Sequence, residues 1–143
     1  MIDITELEDA PAHYDWHLIV PHLTNGLAYN PFMTLRDVLQ RHAQHDVSIG
    51  VIYEDDTVVG GVAWEVLTSP SDDTRRFMNI LALGCLVGAY EEHRHDILTG
   101  LETIAQVCQC QTLFATGRRG WERMARDAGY TVMDHVLFYK EFK

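Results

Sequence analysis

The spacing of apolar and polar residues changes period several times along the chain, and each change predicts an element. Residues 2–6 alternate apolar and polar, as a short first strand does. Across 11–27, Trp16, Ile19, Val20 and Leu23 fall at helical spacing, with Pro21 expected to kink or split the helix. Asn30-Pro31 marks a turn. Thr34-Leu35-Arg36-Asp37 then opens a second helix, with Leu35, Val38 and Leu39 on one face, ending near Gln44. Two β-rich runs, 47–53 and 57–67, flank the acidic turn Glu54-Asp55-Asp56 and predict a hairpin. After a loop at 69–73, residues 77–87 are almost wholly apolar, the pattern of a strand buried on both faces.

Residues 88–95 are polar and read as a loop, with Asp96 capping the helix that follows. Ile97, Leu101, Ile104, Ala105 and Cys108 make that helix's buried stripe. Residues 112–115 form a short strand. Trp121, Met124, Ala125 and Ala128 recur at three and four residues, so an amphipathic helix follows, closed by Gly129 as a left-handed cap. Residues 130–142 are predicted as the last strand. The order β, α, α, β, β, β, α, β, α, β implies one α/β (α+β) domain over 1–143. Its central sheet is expected to be mixed, mostly antiparallel, with helices on both faces.

Composition narrows the function classes. A net charge of −10 argues against nonspecific binding to nucleic acid or to an anionic membrane. The only basic groupings are Arg75-Arg76, and Arg118-Arg119 with Arg123 and Arg126. No apolar run is long enough to predict a transmembrane helix. The acidic first residues argue against a signal or transit peptide. Cys85, Cys108 and Cys110 offer no full set of disulfides and no redox spacing, so a reducing compartment, cytoplasmic, is expected.

Candidate chemistry is sparse. His13 and His17 are spaced i, i+4, but no carboxylate motif joins them and no metal is expected. His22, His42 and His45 read as surface or helix-end residues. No serine or cysteine nucleophile signature and no phosphate loop of the Gly-Lys-Ser type is present. Arg118 and Arg119 suit phosphates, a partner's carboxylates or plain solvent equally, and Trp121 reads as core.

Three pieces carry a resemblance. They are the hairpin whose second strand begins Thr57-Val58-Val59-Gly60-Gly61, the apolar strand 77–87 followed by a helix, and the helix ending Arg126-Asp127-Ala128-Gly129-Tyr130 followed by a last strand. In that order they resemble the GNAT superfamily of acyl-coenzyme A-dependent N-acetyltransferases. The resemblance implies acetyl-CoA or another acyl-CoA as cofactor and an amine as acceptor. It places the cofactor's pyrophosphate at the N-terminus of the helix after the fourth strand, where unpaired amides and the helix dipole favour an anion. Leu86, Val87, Gly88, Arg94, Arg118 and Arg119 are the cofactor-binding residues it implies. A strand glutamate often serves as base, which singles out Glu65. Asn79 is the only strongly polar side chain of 77–87, and both are expected in catalysis.

The sequence departs from the family pattern at two points. Counted from Arg94, the family's two glycine positions hold Ile97 and Thr99, amid Glu91, Glu92 and Asp96. The position of the tyrosine that protonates the departing thiolate holds Ala125. These departures favour a second expectation, a non-catalytic GNAT-like structural or interaction protein acting through protein partners or self-association; a bacteriophage virion component is one setting that the resemblance suggests.

Overall fold

The computed structural model describes residues 1–28, 30, 32–116, 122–133 and 140–142. Strand β1 (Ile2–Leu7) leads through a 3-10 turn (Ala10–Ala12) to helix α1 (Trp16–Leu27) and helix α2 (Leu35–Ala43). Strands β2 (Ser48–Glu54), β3 (Thr57–Ser69) and β4 (Asp72–Cys85) follow as consecutive antiparallel neighbours. Helix α3 (Ala89–Val107), strand β5 (Thr112–Ala115) and helix α4 (Glu122–Asp127) complete the described elements. The sheet has the order β1-β2-β3-β4-β5, antiparallel except for the parallel β4–β5 pair that the α3 crossover makes possible.

Two apolar layers sandwich this sheet. On one face Ile49, Val51, Ala63 and Leu81 pack under Ile19 and Leu23 of α1 and Val38 of α2. On the other Ile52, Val62, Trp64, Met78 and Ile80 pack under Ile97, Leu101 and Ala105 of α3. β2, β3 and β4 are therefore covered on both faces, which is why their apolar runs lack clean alternation. Helices do lie on both faces, as the order of elements predicted.

Local chemistry sets several boundaries where the sequence places them. Thr34 and Asp37 form a reciprocal capping box at the start of α2. Asp55 turns the β2–β3 hairpin with φ of 54°. After α4, Gly129 adopts φ of 87°; its N–H donates to Arg126 O, and the Tyr130 N–H donates to Ala125 O. This is a Schellman closure.

Other boundaries differ from expectation. Helix α1 runs unbroken through Pro21, which lies exposed in its second turn and removes one helical hydrogen bond there. Strand β4 begins at Asp72 rather than 77, since its first residues are polar and exposed and carry no apolar signal. The largest correction is at α3. Residues 89–95 are helical, Gly88 is the N-cap at φ of 81°, and Asp96 lies inside the helix. The solvated first turns have no apolar period to read, yet Glu91 and Glu92 suit the positive end of a helix. The predicted last strand, 130–142, has its centre (134–139) outside the described residues, as do Arg118, Arg119 and Trp121.

Candidate active site

The site begins with a mismatch of strand lengths. β5 pairs with β4 only from Phe77↔Thr112 to Ile80↔Ala115, while β4 runs on to Cys85. Beyond Ile80 no described residue pairs with this edge of β4. A register shift sits at the same level. Ala63 opposes Ala82 and Trp64 opposes Ile80, so Leu81 is an extra residue, a β-bulge. Sheet and bulge together open a gap between β4 and the end of β5.

The register fixes what faces that gap. The Leu86 N–H donates to Val59 O at 2.8 Å, which makes Gly60↔Cys85 the non-hydrogen-bonded kind of antiparallel pair. Backbone groups alternate sides along a strand, so Gly84 points its N–H and C=O at β3. Those of Leu83 and Cys85 point the other way, into the gap.

Helix α1 forms one wall. A Cβ built on Gly84 would lie 2.0 Å from the His22 carbonyl oxygen, and one on Gly26 would lie 2.6 Å from the Leu83 nitrogen. Only glycine permits this approach of helix to strand. His22 is consequently buried, not at the surface. Burial holds its imidazole below the usual range. The folded value is below the unfolded 6.5, so the unfolded chain binds more protons between the two. The stability gained by keeping His22 neutral is complete above about pH 6.5 and is lost as pH falls through the folded value. The melting temperature of wild type is therefore expected to fall more steeply from pH 7 to pH 5 than that of His22→Gln. Parallel slopes would contradict this assignment.

At the top of the gap, Leu86, Val87 and Gly88 are exposed and lead into α3. The first turn carries Glu91 and Glu92. Glu92 and Glu54 flank His93, whose Nε2 lies 3.6 and 3.2 Å from their carboxylate oxygens. This cluster sets the first turns of α3 beside the end of β2. Arg94 lies in the second turn, partly exposed. The Cys85 thiol is pushed up to about 12 by burial and by Glu91, so it stays protonated and inert.

Below the bulge, on the face covered by α1 and α2, the structure brings Glu65 and Asn79 together. They are cross-strand partners, and the Asn79 Nδ2 donates to Glu65 Oε1 at 3.2 Å. A third residue, absent from the sequence expectations, completes the group. Arg41 of α2 donates from Nη2 to Glu65 Oε2 at 2.5 Å. Glu65 is buried, and the Arg41 side chain is 33% exposed. Nothing in the sequence marks Arg41, because its partner lies 24 positions away.

His42 lies at a helix end, in the last turn of α2, and it is buried there. Its Nε2 accepts the Ala10 N–H at 3.1 Å, so its Nδ1 carries the proton donated to the Val47 carbonyl at 2.9 Å. It bolts the 3-10 turn to α2 and β2. A 350 Å³ hollow lined by Glu6, Leu7, Glu8, His42, His45, Val47 and Ser48 opens there. It lies where β1 ends and β2 begins, separated from β4 by the width of β2 and β3.

No family model and no curated protein matches the chain. Solved structures do. An aminoglycoside acetyltransferase from an uncultured soil metagenomic sample, in complex with sisomicin, superposes with a TM-score of 0.71 at 16% identity, over 99% of this chain and 97% of that one. A ribosomal-protein-alanine N-acetyltransferase from Brucella melitensis biovar Abortus gives 0.70 at 15%, over 100% of both chains. A predicted acetyltransferase from Clostridium acetobutylicum, solved with acetyl-CoA, gives 0.68 at 14%, over 98% and 96%. The fold is that of the GNAT acetyltransferases.

Proposed function

We propose that this chain is an acyl-CoA-dependent N-acyltransferase, transferring an acyl group from the thioester to an amine. One observation carries the reading: the edge of β4 at Leu83 and Cys85, which no described residue pairs, running directly into the amide-bearing N-terminus of α3 at Gly88. An extended arm containing amides adds to such an edge as another strand would. Leu83 and Cys85 offer it two N–H and two C=O groups.

Acyl-CoA, when bound, supplies an activated acyl carbon on sulfur. The chain's own groups do the remainder. Val87, Gly88 and the first turn of α3 receive the diphosphate, where amides and dipole favour an anion. Arg94 is six residues beyond Gly88, about 9 Å along the helix at 1.5 Å per residue, within reach of that end for a long side chain. Arg118 and Arg119 remain candidates for the same role. At the bulge, a backbone N–H of β4 is placed to stabilise charge on the acyl oxygen. Glu65 and Asn79 lie on the acceptor side. Glu65 accepts the amine's proton there, while Asn79 and Arg41 orient it.

Glu91 and Glu92 oppose an anion at this helix end. The neighbours named above are acetyltransferases and lend no support to a non-catalytic particle component.

Calorimetry with acetyl-CoA tests the proposal. Binding is expected in the micromolar range. Arg94→Ala should weaken it about tenfold, the worth of one charge-assisted hydrogen bond to phosphate. Glu91→Gln should tighten it. Absence of heat at millimolar acetyl-CoA would overturn the assignment.

A further inference from the structure

The Arg41–Glu65–Asn79 group also speaks to the acceptor. This inference rests on the acyltransferase reading and extends it. We infer that the acceptor is an α-amino acid or a close analogue, its ammonium on Glu65 and Asn79 and its carboxylate on Arg41.

Placement is the first argument. Asn79 neighbours Ile80, where β4–β5 pairing ends and the gap begins. An amine held by Glu65 and Asn79 therefore stands at the mouth from which an acyl group bound along the β4 edge would emerge.

Charge is the second. A buried ion pair is an expensive way to fill a core position, and a well-packed apolar pair does as well or better. Arg41 spends only one of its guanidinium N–H groups on Glu65. The Arg41 side chain is one-third exposed while its Glu65 partner is buried, so the guanidinium is anchored at a site that solvent reaches. A guanidinium fork recognises a carboxylate in two-point geometry. Glu65 uses one lone pair on each oxygen and retains others for an ammonium. The pair is neutral overall, and its complement is a zwitterion with the opposite order of charges. A polycation would meet Arg41 as a like charge.

Neighbouring side chains supply the third argument. Asn79 pairs with Phe114 across the β4–β5 ladder, and Phe77 lies two residues before it, so all three share one face. The two rings meet edge to face with centroids 5.9 Å apart, and Phe114 is 49% exposed. They form an apolar shelf beside the charged pair, suited to an apolar amino-acid side chain.

The transfer balances. The ammonium gives one proton to Glu65. Its nitrogen forms the C–N bond to the acyl carbon as the C–S bond breaks and its electron pair leaves on sulfur. The second N–H proton goes to that sulfur, giving the thiol and the N-acyl amino acid. Glu65 then returns its proton to solvent.

The test compares L-phenylalanine, L-phenylalaninamide and the aminoglycoside sisomicin as acceptors for wild-type protein with acetyl-CoA. Thiol release and product mass are followed in each case. Acetylation of phenylalanine at least tenfold faster than of its amide, and none of sisomicin, is expected. Side-chain resonances of Arg41 should shift on adding phenylalanine with CoA present, and not on adding the amide, which lacks the carboxylate. Arg41→Gln should erase the preference for the carboxylate while acetyl-CoA binding is retained. Equal rates for acid and amide, or acetylation of sisomicin alone, would overturn the inference and leave the acyltransferase reading standing. Acetyl-CoA binding with no acetylation of any of the three would do the same. Failure to bind acetyl-CoA would remove both.

Discussion

Gly84→Ala is expected to destabilise the protein by about 3 kcal/mol or more, the upper range for overpacking a core. The added methyl would lie 2.0 Å from the His22 carbonyl oxygen, 2.7 Å from its carbonyl carbon and 3.0 Å from its Cα. All three are backbone atoms, so no rotamer change relieves the contact. Helix α1 would have to lift from β4, drawing Ile19 and Leu23 off Gly61 on β3. Because α1 also walls the gap, acetyl-CoA binding should fall with stability. Gly88→Ala is the control. There a Cβ meets nothing within 4 Å, and only the left-handed φ of 81° is unfavourable. Its cost should be about 1–2 kcal/mol. Urea unfolding midpoints measure both. A Gly84→Ala protein as stable as wild type would mean that α1 does not approach β4 in this way.

Arg41→Ala is expected to cost about 3 kcal/mol. The change leaves the Glu65 carboxylate buried with only Asn79 as partner, and an uncompensated buried charge is far dearer than a lost surface ion pair. The estimate stays at the low end of the usual range because Arg41 is one-third exposed and water can enter behind it. Adding Glu65→Gln should recover most of the loss, since the neutral amide still fits the space and still accepts from Asn79. A double variant no more stable than Arg41→Ala would show that Arg41 acts through packing of its stem, not through its charge.

Much of the fold was legible because local chemistry set it. The capping box at Thr34, the acidic turn at Asp55 and the Schellman glycine at 129 each fix an end of an element within a few residues. The start of α3 was not legible, because a solvated helical turn and a polar loop have the same composition. The reading set the start of this helix at Asp96 where the structure has Gly88 as N-cap, so the family's glycine pattern was sought in what is the interior of a helix.

The site was legible by residue type and not by partner. Glu65 stood out as a carboxylate in an apolar strand and Asn79 as the lone polar group in 77–87, yet their contact depends on the β3–β4 register. Arg41 enters through the packing of α2 on the sheet. The gap itself depends on β5 ending at Ala115 while β4 continues, together with a bulge at Leu81, and no period in either strand encodes that. His22 was misread for the same reason, and the burial of His42 at its helix end was hidden likewise. A single imidazole on an amphipathic helix counts as polar until the neighbouring strand or turn is known.

The most direct measurement is a titration of ¹⁵N-labelled protein with acetyl-CoA, followed through its backbone amides. The account predicts saturable shifts at Leu83, Cys85, Val87 and Gly88, with β1 and the hollow around His42 unmoved. Shifts confined to other residues, or none at millimolar acetyl-CoA, would contradict it.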